Sequence, residues 1–66
     1  MDAKKIAERL IALRGSRTQA EVAKAIDITP SAYSMYEAGE RIPRDEIKKR
    51  IAAYYKRSVS TIFFAD

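Results

Sequence analysis

From Thr18 to Gly39 the chain reads TQAEVAKAIDITPSAYSMYEAG, and no other stretch constrains the fold as tightly. It encodes two short helices joined by a tight turn. Thr18 N-caps the first, Glu21 three residues later completes a capping box, and Val22, Ala23 and Ile26 recur at helical spacing. Asp27-Ile28 interrupts the apolar pattern. Thr29 caps a second helix whose first position is Pro30, where the missing N–H costs nothing and the fixed φ is already helical. Gly39 closes it.

A turn of about 100° per residue puts Ala32, Tyr33 and Tyr36 on one side of the second helix and Ser31, Ser34, Met35 and Ala38 on the other. One face has the character of core and the other of a reading surface. A helix presented N-terminus first fits the width of a DNA major groove, with its early residues nearest the base edges. The stretch resembles the Cro/cI-type (XRE-like) helix-turn-helix family. That family's pattern is a Thr-Gln or Ser-Gln opening, an Ala four residues later, a turn, a Ser-rich recognition helix, then Glu-x-Gly-x-Arg-x-Pro. Thr18, Gln19, Ala23, Ser31, Ser34, Glu37, Gly39, Arg41 and Pro43 meet it, with downstream matches in Ile47, Ile51, Ala52, Val59 and Ile62. The resemblance covers nearly the whole chain and implies an all-α, five-helix, lambda-repressor-like DNA-binding domain. Two positions depart from it. Asp27 stands where the turn usually has Gly and reaches the left-handed region at some cost. Arg57 stands where relatives tend to be apolar, so its stem is expected to pack while its head stays in water.

Sixty-six residues allow one domain, residues 1–66, with modest stability, because so short a chain buries only about 60% of its unfolded surface. No room remains for a ligand-binding or protease-like domain. With no cysteine and no histidine the chain lacks disulfides, thiolate metal sites and the commonest general base, so no catalysis, metal or cofactor is expected. No run approaches the roughly 18 apolar residues of a membrane span. Lys4-Lys5 followed by IAERLIALR is an amphipathic helix broken by charge rather than a signal peptide, and the expected location is cytoplasmic. Thirteen basic and nine acidic side chains leave a formal charge of +4, which points to a polyanionic partner. Arg14, Arg17, Lys24, Arg41 and Arg44 bracket the helix-turn-helix, where they can meet phosphates. For Lys48, Lys49, Arg50, Lys56 and Arg57 a solvated face is the simpler expectation.

Along the chain, a first helix is expected from about Asp2 to Leu13, with Ile6, Leu10 and Leu13 on one face and Gly15-Ser16 ending it. A fourth should begin near Arg44 and run to about Lys56, burying Ile47, Ile51, Ala52 and one or both of Tyr54 and Tyr55. Ser58 then caps a final turn or two with Val59, Ile62 and Phe63 inward. The expected centre of the core is Ala7, Leu10, Val22, Ala23, Ile26, Tyr33, Tyr36, Ile47, Ile51, Val59 and Ile62.

The resemblance implies that Gln19 donates its amide to a phosphate and braces a neighbouring side chain of the recognition helix. Thr18 leaves the first N–H groups of its helix pointing outward, an arrangement suited to a phosphate. Ser31, Ala32, Ser34 and Met35, with Thr29 and Pro30, occupy or flank the family's base-reading positions. None can make the bidentate pairs that Arg makes with guanine or Gln with adenine. Affinity is therefore expected mainly from phosphates, and part of the specificity from DNA shape. Arg41 and Arg44 flank Pro43, and by resemblance this segment tracks the backbone, with Arg44 the better candidate for a minor groove. Glu37 would repel phosphate if it faced DNA, and the resemblance makes Arg14 its ion-pair partner. Helical spacing places Tyr33 and Tyr36 on the buried side of their helix, so they are expected in the core rather than as stacking platforms, which serve single strands. Phe63 and Phe64 are adjacent and cannot both face inward on one short helix, so one of them, with Ile62, is expected at a dimer contact.

The resemblance implies a prokaryotic or phage regulator, a Cro-like repressor that binds a pseudo-palindromic double-stranded operator as a homodimer and senses no small molecule. A protein-interaction module on the same fold, serving as an antitoxin half or the target of an antirepressor, is the alternative.

Overall fold

The computed structural model describes residues 1–65 and forms four α-helices followed by a single π-helical turn: α1 Ala3–Arg14, α2 Gln19–Ala25, α3 Pro30–Glu37, α4 Asp45–Tyr55 and the π-turn Ser60–Phe64. No strand occurs among the described residues.

Each helix starts where a short polar side chain or an acidic first turn meets its unpaired N–H groups. The carboxylate of Asp2 accepts the N–H groups of Lys4 (3.0 Å) and Lys5 (3.3 Å). Thr18 accepts that of Glu21 at 3.0 Å, and Thr29 that of Ala32 at 3.1 Å with Pro30 at the first helical position. The return bond of a capping box, from Glu21 to Thr18, is not made among the described residues. Arg44 precedes α4 without a capping side chain, and Asp45 and Glu46 supply negative charge to that helix's first turn instead.

Three helices end in the same way. A residue in the left-handed region follows α2 (Asp27, φ 60°), α3 (Gly39, φ 73°) and α4 (Lys56, φ 56°). After α2, the N–H of Asp27 bonds to Lys24 O and that of Ile28 to Ala23 O. After α3, Gly39 bonds to Tyr36 O and Glu40 to Met35 O; after α4, Lys56 bonds to Ala53 O and Arg57 to Ala52 O. This is the Schellman closure, which satisfies the last carbonyls of a helix and turns the chain sharply. The strained turn expected at Asp27 is present. Lys56 is a second non-glycine residue in the same conformation. Arg57 follows it with its guanidinium 3.4 Å from the carbonyl oxygens of Tyr55 and Lys56, an exposed head on the negative end of α4.

The core draws on every element. Leu10, Val22, Ala23, Tyr33 and Ile51 are fully buried, joined by Ile6, Ala7, Ile26, Tyr36, Ala52, Tyr55, Ile62 and Phe63. Ile47 and Val59, expected at the centre, are only half-buried at its margin, while Ile6, Ala52, Tyr55 and Phe63, expected on inward faces, lie within the core itself. Ser58 caps the final turn as expected, accepting the N–H of Thr61 at 3.1 Å. Arg9 on α1 clasps that turn by donating to Ile62 O at 2.8 Å and to Ala65 O.

Candidate nucleic-acid interface

The exposed side of α3 is set by what its other side buries. Tyr33, Tyr36 and Glu37 turn inward; Thr29, Pro30, Ser31 and Met35 are exposed, and Ala32 and Ser34 are half-buried along the flank. Tyr33 is anchored at its tip, because its hydroxyl lies 2.7 Å from that of Tyr55 in the core. Burial raises the pKa of both phenols, and for Tyr33 the bond to Tyr55 raises it further, so both stay neutral.

Glu37 is the one charged residue of α3, and only 6% of its surface is exposed. Its carboxylate receives a two-pronged bond from Arg14, Nε to Oε2 at 2.7 Å and Nη2 to Oε1 at 3.0 Å. It also accepts the side-chain amide of Gln19 at 2.9 Å. Burial pushes the carboxyl pKa up, but the bonds from Arg14 and Gln19 outweigh burial and hold it below the ordinary 4.5. The expected Glu37–Arg14 pair is therefore present, and it takes Arg14 off the basic rim. The third guanidinium nitrogen of Arg14 is also engaged, donating to Arg17 O at 2.7 Å.

Gln19 braces a side chain of the recognition helix as the resemblance implies, and Glu37 is that side chain. A carboxylate only accepts hydrogen bonds, so Glu37 decides which end of the amide faces it. The NH2 group points inward, leaving its second N–H as the side-chain donor for an outside partner. The element that Gln19 braces is α3, through Glu37, eighteen residues away.

The cations divide into two groups. Lys24, Arg41 and Arg44 are exposed and form no ion pair among the described residues. Arg17 is exposed too, but its guanidinium lies 5.3 Å and 5.4 Å from the ring centres of Tyr54 and Tyr55, drawn to α4 by the faces of the rings. On α4 the expectation of a uniformly solvated basic face is corrected. Lys49 and Lys56 are exposed, but Lys48 is 6% exposed, with its ammonium 3.3 Å from Asp45 and 5.2 Å from the ring centre of Phe64. Arg50 bonds to Glu46 at 2.7 Å and reaches Ile26 O at 3.4 Å, bridging α4 to the end of α2.

The expected dimer contact is also narrowed. Ile62 and Phe63 each retain 1% exposure because the π-turn directs both into the chain's own core, so neither presents surface for a dimer contact. Phe64 alone of the three remains on the surface, at 55%.

The Gln19–Glu37 and Tyr33–Tyr55 bonds and the burial of Lys48 join residues whose pairing no local spacing announces. Only the resemblance pointed to any part of the Glu37 cluster.

No curated protein and no solved structure matches the chain. The Helix-turn-helix family model matches residues 6–62, from the first core residue of α1 to the π-turn. With that match over an all-helical fold whose α2 and α3 are joined by a Schellman turn, the chain belongs to the helix-turn-helix family of Cro/cI (XRE) type, whose members are DNA-binding transcriptional regulators.

Proposed function

We propose that this chain acts as one domain of repressor type, binding a pseudo-palindromic duplex operator as a symmetric homodimer with α3 in the major groove. The observation that carries the proposal is the partition of α3: its one charge and its two aromatic rings are buried, and an uncharged, small-residue face is exposed. An acidic or bulky face would be excluded from a groove lined with phosphates. In this reading Thr29, Pro30, Ser31, Ala32, Ser34 and Met35 approach base edges. Lys24, Arg41, Arg44 and the outward N–H of Gln19 meet phosphates, and Thr18 and Arg17 border them. Arg44, directly after the buried Pro43, is the candidate for an adjacent minor groove, where a narrow, electronegative groove attracts arginine. Phe64 is the candidate dimer contact, with the two copies of α3 about 34 Å apart on successive major grooves. Repression then follows from occupancy of promoter DNA.

Selection of bound duplexes from a random pool at about 0.15 M salt tests this, followed by a salt titration of the selected site beside a scrambled one. A two-fold symmetric site bound at least about 10³-fold tighter than the control supports the proposal. Equal, weak, salt-sensitive binding to both would sink it and point to a protein partner such as an antirepressor or toxin.

A further inference from the structure

We infer that the exposed face of α3 recognises the C5-methyl groups of pyrimidines, so that its target class is duplex DNA carrying thymine or 5-methylcytosine opposite Met35 and Pro30. The inference rests on the groove-binding reading above and names what that face detects.

In the major groove, bases are told apart by bidentate hydrogen bonds or by contact with the thymine methyl, the single apolar feature among the four base edges. The bidentate route needs Arg, Lys, Asn, Gln, Asp or Glu. Between Thr29 and Ala38 the only such residue is Glu37, buried and bonded to Arg14 and Gln19. Gln19, the nearest amide, has its NH2 group turned to Glu37. The oxygen of Thr29 already accepts the N–H of Ala32. It keeps its proton and a second lone pair, so it, Ser31 and Ser34 can each donate or accept, and none separates the O4 acceptor of thymine from the N4 donor of cytosine.

What the face does have is apolar. Met35 is 37% exposed, the exposed ring of Pro30 begins the helix, and the Cβ of Ala32 lies on the flank. An unbranched thioether adapts its shape to a small apolar target. In a groove of polar edges the methyl is the surface against which these atoms can exclude water. Because the hydroxyls are indifferent to O4 versus N4, the face distinguishes methylated from unmethylated pyrimidines more sharply than it distinguishes thymine from 5-methylcytosine.

The test uses the full chain and the site selected above. Thymines facing α3 are replaced one at a time by uracil, which removes the methyl and keeps every hydrogen-bonding group. In parallel they are replaced by cytosine and by 5-methylcytosine, each paired with guanine. Each uracil should weaken binding about three- to fivefold, as loss of one buried carbon implies, and methylation of the cytosine should recover a similar factor. Met35→Ala should bring the thymine-to-uracil ratio toward one, whereas Ser31→Ala should weaken both duplexes equally. Uracil sites bound as tightly as thymine sites, or methylated cytosine bound no better than cytosine, would overturn the inference while leaving the operator-binding reading intact. Failure of the selection to enrich any site would overturn both.

Discussion

Glu37 joins α1, α2 and α3 through a single carboxylate, and its energetics follow from burial. Removing the charge leaves the Arg14 guanidinium and the Gln19 amide facing a neutral group, and breaking a buried pair in this way costs about 3–5 kcal/mol. The Arg14 side chain keeps 22% exposure and can turn to water, so the lower end applies. Glu37→Gln should therefore cost about 3 kcal/mol and lower Tm by more than about 10 °C. Thermal melting reads this directly, and an unchanged midpoint would remove Glu37 from its structural role. The same carboxylate sets an acid dependence. Its folded pKa lies below 4.5, so its contribution is fully present above that pH and is lost as pH falls from 4.5 through the lower folded value. A stability profile of the parent chain should fall more steeply in that window than that of Glu37→Gln. The slope left in the variant belongs to carboxylates such as Asp2, held low by the N–H of Lys5 and, to a lesser extent, that of Lys4.

At the scale of the element, the left-handed residue after each of three helices sets the angle at which the next element leaves. Glycine adopts that conformation at no steric cost, whereas an L side chain is strained there, aspartate less than most. Asp27→Gly should stabilise the turn between α2 and α3 by about 0.5–1 kcal/mol. Gly39→Ala should destabilise by about 1 kcal/mol through φ alone, because an added Cβ there would meet Ala3 O at 3.6 Å and Ala7 Cβ at 3.8 Å, ordinary contact distances. Denaturant titration of the pair should give changes of opposite sign. Two changes of the same sign would mean that side-chain contacts, not backbone conformation, govern these ends. If the turn holds α3 in the pose that the proposed function needs, Asp27→Gly should leave DNA affinity unaltered.

Over the whole molecule, the formal charge of +4 overstates what is available to a polyanion at any one place. Arg14, Lys48 and Arg50 are paired within the protein, and Arg17 leans on tyrosine rings. Lys24, Arg41 and Arg44, within or just after the helix-turn-helix, are exposed and form no ion pair among the described residues. Arg41→Ala should weaken binding to specific and scrambled duplex alike, whereas Arg44→Ala, which removes the proposed minor-groove contact, should weaken the specific duplex more. Each should also make the plot of log affinity against log salt shallower by about one per cation removed, about two for a symmetric dimer. An unchanged slope would place that arginine away from the phosphates.

The helices and their caps were legible in the sequence because the information is local. Thr18, Thr29 with Pro30, Asp27 and Gly39 act through bonds within a few residues, and apolar spacing reveals a helix face wherever that face lies. The match to the family pattern extended this to the order of elements and to the Glu37–Arg14 pair. What only the tertiary structure decided are the contacts made across the core. Gln19 turns its amide to Glu37, Tyr33 meets Tyr55, Lys48 lies beneath Phe64, and Ile62 and Phe63 are both buried in the chain's own core. Each depends on the angle at which one helix meets another, and that angle is set by the packing of many side chains together. Residue spacing along the chain carries no measure of it.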